Sequence, residues 1–264
     1  MAEEKKYCYQ YPHAALTVDC VIFGFDGEAL KVLLVERGLP PYLGMWALPG
    51  GFMRMDETVE QAAARELREE TNLSNVYLEQ FRVFSDVGRD PRERVVTVAF
   101  MALVRPAECR LIAGDDAANA LWFDECRLPP MAFDHEEIIK AAREYLAEKL
   151  KVRPVAFQLL NKVFSLGELQ KVYEAINRTT YDRRNFQRKA LQSGMLEETD
   201  GAEPMCECGM PSPMAERMDK SSGAFDRPVS AGRPAKKLFS FRNLFKNKKE
   251  YGSDESSTKD LFDF

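Results

Sequence analysis

Residues Gly51 to Leu73 read GFMRMDETVEQAAARELREETNL. From about Glu57 to Thr71 this stretch has helical composition, and Asp56 is placed to cap it by accepting a hydrogen bond from an unpaired first-turn amide. At ~100° per residue, Glu66, Glu69 and Glu70 of such a helix fan across about a third of the circumference, so three carboxylates share one patch. Like charges at this spacing cost about 0.2 to 0.5 kcal/mol per pair unless a cation or an arginine neutralises them. Two arrangements meet that need. In one, the helix is a solvated charged face on which Arg65 and Arg68 pair with Glu69 and its neighbours. In the other, a hard divalent ion sits between the carboxylates and substrate phosphates, and the pattern implies phosphate chemistry. Immediately upstream, Pro49, Gly50 and Gly51 predict a turn without bulky side chains, where backbone approaches a ligand or an ion closely.

On either side of this helix the chain alternates apolar runs with turn residues. Leu16–Phe25 (LTVDCVIFGF) and Leu30–Glu36 (LKVLLVE), separated by Asp26 and Gly27, predict paired strands, and Trp46–Leu48 leads into the glycine turn. Tyr77–Ser85, Val95–Val104 and a short Leu121–Phe123 predict further strands. From about His135 to Leu150 the apolar residues Ile138, Ile139, Ala142, Tyr145, Leu146 and Leu150 recur at helical spacing. Mixed strands and two helices make this an α/β module, closed by the boundary that Pro154 marks.

A chain of 264 residues with 45% hydrophobic content is long enough for two domains. The start MAEEKK lacks the basic-then-apolar pattern of a leader, and no run approaches a membrane span, so a soluble, cytoplasmic protein is expected. Six cysteines without a secreted framework predict free thiols, with Cys20 a small core residue. Cys206 and Cys208 lack the second pair that a zinc site needs. Charge divides unevenly. Residues 1–150 hold 17 Lys+Arg against 26 Asp+Glu, residues 151–192 hold 9 against 3, and the remainder is nearly balanced. An acidic front and a short basic block suggest different partners for the two parts.

The basic block predicts three short helices. They are Val155–Val163, then Ser165 to about Asn177 with a capping box between Ser165 and Glu168, then a helix opened by Asp182 and stopped by Gly194. The third, DRRNFQRKALQSG, exposes Arg183, Arg184, Asn185, Gln187, Arg188 and Lys189, while Phe186, Ala190 and Leu191 supply a buried stripe. A possible hairpin of Met195–Glu198 with Ala235–Phe241 completes the outline of a winged helix-turn-helix. In that motif the third helix enters the major groove, where Arg and Asn read guanine and adenine edges while Lys and other Arg residues meet phosphates. A small helical bundle with a solvated basic helix is the alternative. Residues 199–231, rich in Met, Pro, Ser and Gly, predict a disordered insertion. Lys236–Lys249 mixes aromatics with cations, as a wing strand on DNA or a short membrane contact would, and the strand is favoured for its first half. The acidic stretch from Tyr251 to Phe264 predicts a disordered tail.

Gly51, five residues, Glu57, seven residues, then Arg65, Glu66, Leu67, Glu69, Glu70 and Leu73 resembles the signature of the Nudix hydrolases, with Asn72 where the family has glycine. With LGELQKVYEAINR (166–178), YDRRNFQRKAL (181–191) and GRPAKKLFSF (232–241), the chain over most of residues 12–242 resembles the Nudix-related transcriptional regulators. ALPGGF (47–52), GRDPR (88–92) and the wing residues Gly232, Arg233, Pro234 and Ala235 belong to the same likeness. The resemblance implies a Nudix α/β/α sandwich over residues 1–152, a winged helix-turn-helix over 153–242, and a tail from 243. It implies a regulator that senses ADP-ribose-type or sugar ligands, acts on double-stranded DNA and forms a homodimer. The alternative is a plain hydrolase of nucleoside diphosphate derivatives, and whether catalysis is retained stays open. Glu66, Glu69 and Glu70 would hold Mg2+ or Mn2+, with Glu69 and Glu70 also catalytic, Arg65 orienting the cluster and Glu57 a weaker ligand. Arg89, Arg92, Gly50 and Gly51 would contact the ligand, and Arg183, Arg184, Asn185, Arg188 and Lys189 would contact DNA. A separate base, as some members of the family use, would come from Asp115 or Asp116, whose alternative is an acidic surface loop, or from His135, whose alternative is an ordinary first-turn helix residue.

Overall fold

The computed structural model describes residues 9–74, 76–109, 111, 117–199 and 237–241. The candidate bases Asp115 and Asp116, Cys206 and Cys208, wing residues 232–235, the tail, and all but the first residue of the 199–231 insertion lie outside these residues.

Strands β1 (Ala15–Phe25) and β2 (Leu30–Arg37) pair antiparallel across the turn at Asp26, whose Oδ1 accepts from the amides of Glu28 and Ala29. Two short strands follow, β3 (Trp46–Ala47) on β2 and β4 (Gly50–Phe52) on β1. Helix α1 (Val59–Thr71) comes next. After it, β5 (Glu79–Phe84) pairs with β6 (Val95–Val104), which runs parallel to β1, and β7 (Ala117–Asp124) pairs with the other edge of β2. β1 is buried on both faces, as its nearly unbroken apolar sequence requires. Val18, Cys20 and Ile22 face Ala62, Ala63 and Leu67 of α1. Val21 and Phe23 face the opposite layer, helix α2 (His135–Val152), through Ile138, Ile139, Ala142 and Leu146. The result is the expected α/β/α sandwich. Among the described residues no helix is long and apolar enough to cross a membrane.

Several local expectations are corrected. The cap of α1 is Thr58, not Asp56: its side chain accepts from the Gln61 amide while Gln61 accepts from the Thr58 amide. That reciprocal box satisfies two first-turn donors, and it leaves the Glu57 carboxylate free to bind the Arg54 amide and Arg65. Asn72 takes the left-handed conformation (φ 60°) that ends the helix. Gly50 and Gly51 are strand residues paired with Asp19 and Val18, not a turn. The expected helix at Val155–Val163 is a single 3-10 turn, Val155–Gln158, because Phe164 runs extended to exchange two backbone hydrogen bonds (2.9 and 2.8 Å) with Phe239.

The second module contains α3 (Leu166–Asn177), capped by the Ser165–Glu168 box, and α4 (Arg183–Gln192), capped by Asp182, whose side chain accepts from the Asn185 amide. β8 (Leu196–Thr199) and β9 (Leu238–Phe241) form the antiparallel hairpin read as a wing. Phe186 and Ala190 of α4 are buried as expected, but Leu191 is 51% exposed and does not join the stripe. The core does not stop at the module boundary. One buried cluster runs from Val21 and Phe23 through α2 to Leu169, Val172, Phe186 and Phe239.

Candidate functional site

A cleft opens where β1, β2, β4 and α1 meet, with Asp19, Arg37, Gly50, Gly51, Glu70 and Arg92 among its lining residues. Of the three predicted carboxylates Glu70 lines this cleft, and backbone geometry sets Glu66 beside it, against Gly51. A Cβ on Gly51 would lie 2.5 Å from Glu66 Oε1, so only glycine lets that carboxylate sit over the strand. The Gly50 amide donates to Glu70 Oε2 at 2.9 Å. Burial pushes the Glu70 carboxyl up to about 8, with the nearby Glu66 and Asp19 charges adding to the shift. Burial also raises Glu66.

The predicted residues are only partly gathered. Arg65 is the hub. Its guanidinium donates to Glu57 (2.5 and 2.9 Å), Glu66 (2.6 Å), Glu69 (3.1 Å) and the Phe52 carbonyl (3.1 Å). These hydrogen bonds hold the Glu57 carboxyl down at about 2. Glu70 stands apart on the strand side. Among the described residues, no three Asp, Glu, His or Cys side chains are drawn together as a ready set of metal ligands. In donor chemistry, oxygen-only carboxylates beside backbone suit a hard divalent ion, and a cation beside the buried Glu70 would favour its charged form.

Of the expected ligand contacts, Arg92 lines the cleft, its guanidinium held by Asp90 and lying 5.2 Å from the Phe52 ring and 5.6 Å from the Phe133 ring. Arg89 is different. It is buried and donates to Asp134 at 2.9 and 2.7 Å and to Asp19 at 3.2 Å, so its charge is used inside the protein. Its partners lie 45 and 70 positions away in the chain, beyond the reach of local pattern.

The sequence reading did not single out Asp19, Arg37, Phe133 or the structural role of His135. Asp19 alone carried a signal, an acid inside an apolar strand run. His135 is buried, its Nδ1 accepting from the Leu48 amide at 2.9 Å and its Nε2 3.5 Å from Asp19 Oδ1. Burial lowers its pKa from 6.5; Asp19 and Asp134 oppose the shift while Arg89 and Arg37 add to it. The folded state thus binds this proton less readily than the unfolded chain. Stability from this site is fully present above pH ~6.5 and is lost as pH falls toward the depressed value, by up to about 1.4 kcal/mol per pH unit. Urea unfolding at pH 7.5 and 5.5 checks this: the loss of stability between them is expected to shrink in His135→Gln.

Comparison with known proteins fits this geometry. The NUDIX domain model matches residues 13–153, and the NrtR DNA-binding winged helix domain model matches residues 156–205. The chain belongs to the Nudix family. Its second module places it, within that family, with the Nudix-related transcriptional regulators of the NrtR type. The ADPR responsive transcriptional repressor NtrR of Acinetobacter baylyi is 34% identical over 193 residues, 72% of this chain and 77% of that one. An ADP-ribose pyrophosphatase of Methanocaldococcus jannaschii is 44% identical over 136 residues, 52% of this chain and 76% of that one. The structure of Shewanella oneidensis NrtR complexed with a 27mer DNA superposes with a TM-score of 0.63 at 32% identity, covering 86% and 93% of the two chains. Nudix hydrolases of this kind generally use divalent metal ions.

Proposed function

We propose that this chain is a DNA-binding transcriptional regulator whose Nudix cleft senses an ADP-ribose-type ligand. The observation that carries the reading is one continuous core bearing both features: the acid-lined cleft, and α4 with Arg183, Arg184, Asn185 and Arg188 exposed and Lys189 half-buried beside them. The Acinetobacter repressor and the DNA-bound Shewanella structure support it. In this reading residues 1–152 form the ligand domain and 153–242 the DNA-binding domain, and the protein acts in the cytoplasm. Two copies related by a two-fold axis read two half-sites of an operator. Glu66, Glu69 and Glu70 would hold Mg2+ or Mn2+ once Glu66 and Glu69 turn from Arg65 toward Glu70, and Arg92, Gly50 and Gly51 would border the ligand. The ion, when bound, neutralises pyrophosphate charge.

The test is duplex DNA binding, using the region upstream of the chain's own gene, with and without ADP-ribose. Wild type is expected to bind in a salt-dependent way and to change affinity when the ligand is added. In Arg184→Ala, affinity is expected to fall by about 1–3 kcal/mol if the side chain reads a base, or the salt slope to drop by about 1 if it meets a phosphate. Equal binding by wild type and variant would remove the regulator reading.

Hydrolysis is the second reading, favoured by the likeness to the Methanocaldococcus pyrophosphatase. Under it, the protein releases AMP from ADP-ribose in the presence of Mg2+, and Glu70→Gln lowers that rate at least about a hundredfold, the scale of a lost electrostatic group. No AMP from wild type leaves a sensor without turnover.

A further inference from the structure

The two modules are joined by an ion pair, its carboxylate buried and its arginine half-exposed, that neither the cleft nor the DNA helix explains. Glu125, directly after β7, has only 3% of its side chain exposed, and both of its carboxylate oxygens accept from Arg178 Nη2, at 2.9 and 2.8 Å. Arg143 of α2 approaches the same carboxylate at 3.5 Å while donating to the Ile176 carbonyl in the last turn of α3. Arg178 is itself the left-handed cap (φ 50°) that ends α3 and begins the turn into Asp182, the cap of α4. Fixing Arg178 therefore fixes the exit angle of the chain toward the basic helix.

The other end of this contact leads to the cleft. The Glu125 amide donates to the Leu30 carbonyl at 3.0 Å, and β7 pairs with β2 from Lys31 to Arg37. Val35, Glu36 and Arg37 line the cleft, so β2 touches the junction with its first residue and the ligand site with its last ones, about 20 Å apart at ~3.3 Å per residue. The turn before β2 also holds α3, because Lys171 pairs with Glu28 at 2.6 Å. Packed strands of this kind transmit displacement by moving as units rather than bending.

We infer that Arg178 is the positioning residue through which the ligand domain orients the DNA-binding helix, with Glu125 as its partner. The inference rests on the functional reading above, since it concerns how ligand and DNA binding are coupled. A ligand shifts such an equilibrium only through a contact that differs between the two states, and the Glu125–Arg178 pair is placed to be that contact.

The experiment measures DNA affinity of the full chain by fluorescence anisotropy, with and without ADP-ribose, for wild type, Arg178→Ala, Glu125→Gln and the double variant. Allosteric responses are about 5- to 150-fold. In each single variant the response is expected to fall to within about twofold of none, while ADP-ribose affinity by calorimetry stays at the wild-type value. The double variant is expected to match the singles, because both remove one link. A wild-type response in either single variant, or losses that add in the double, would overturn the assignment. Should Arg178→Ala not fold, the near-isosteric Glu125→Gln gives the same answer alone. A wild type that binds DNA but ignores ADP-ribose would instead defeat the functional reading from which this one follows.

Discussion

Alanine at position 50 is expected to cost more stability than any other single methyl added near the cleft, on the order of 3 kcal/mol, at the upper end for overpacking. The added carbon would lie 2.2 Å from the Val18 carbonyl oxygen and 3.0 Å from the Asp19 Cα. Both are backbone atoms of β1, the central strand, and neither can rotate away. Relief requires β4 to leave its pairing at Asp19–Gly50, which also withdraws the Gly50 amide from Glu70. Gly51→Ala is the informative contrast. There the new carbon meets the end of a side chain, Glu66, which turns aside. Chemical denaturation should therefore show a large loss for Gly50→Ala and a small one for Gly51→Ala. Stabilisation by added Mg2+ should be reduced in both, because each disturbs one carboxylate. A Gly50→Ala protein as stable as wild type would mean that the Gly50 carbon is not held against the β1 backbone.

This contrast also marks where sequence legibility ends. Gly50 and Gly51 were readable as places where backbone comes close to something, but they predicted a turn, because glycine pairs report absence of a side chain and not the conformation that needs it. The strands were plain from apolar runs of β-branched residues, and Ser165 with Glu168 announced α3 because a capping box is a purely local device. Asp56 failed as a cap for the same local reason, since Thr58 and Gln61 two positions on form a better one. Arg65 was expected to orient the acids, but its fourfold engagement depends on Glu57 folding back over the helix start. Arg89, His135 and Glu125 take hydrogen-bond partners 45, 87 and 53 residues distant, and no periodicity encodes those. Helical spacing placed Leu191 on the buried stripe, yet α4 spans only ten residues and rests on α3 through a narrow seam centred on Phe186, leaving Leu191 outside it.

Phe186→Ala is expected to remove about 3–5 kcal/mol, the usual cost of deleting a fully buried aromatic ring. Phe186 is 1% exposed, and its ring meets those of Tyr173 on α3 and Tyr181 in the intervening turn at centroid distances of 5.6 and 5.7 Å. No other large side chain of α4 is buried, so the helix that carries Arg183, Arg184 and Arg188 is seated by this one ring and Ala190. The basic side chains themselves do not help: clustered cations repel, and the helix holds its orientation only because the apolar anchor outweighs that repulsion. DNA affinity should consequently fall in Phe186→Ala although no DNA-facing residue has changed, and it should fall together with the urea midpoint. ADP-ribose binding to the cleft is expected to survive wherever the sandwich remains folded, since β1 and α1 pack in a separate buried cluster on the far side of the sheet. Thermal melting followed by near-ultraviolet signal and ligand calorimetry on the same samples distinguishes these outcomes. If DNA affinity persists while stability drops, α4 is held by the hairpin and not by the tyrosine seat.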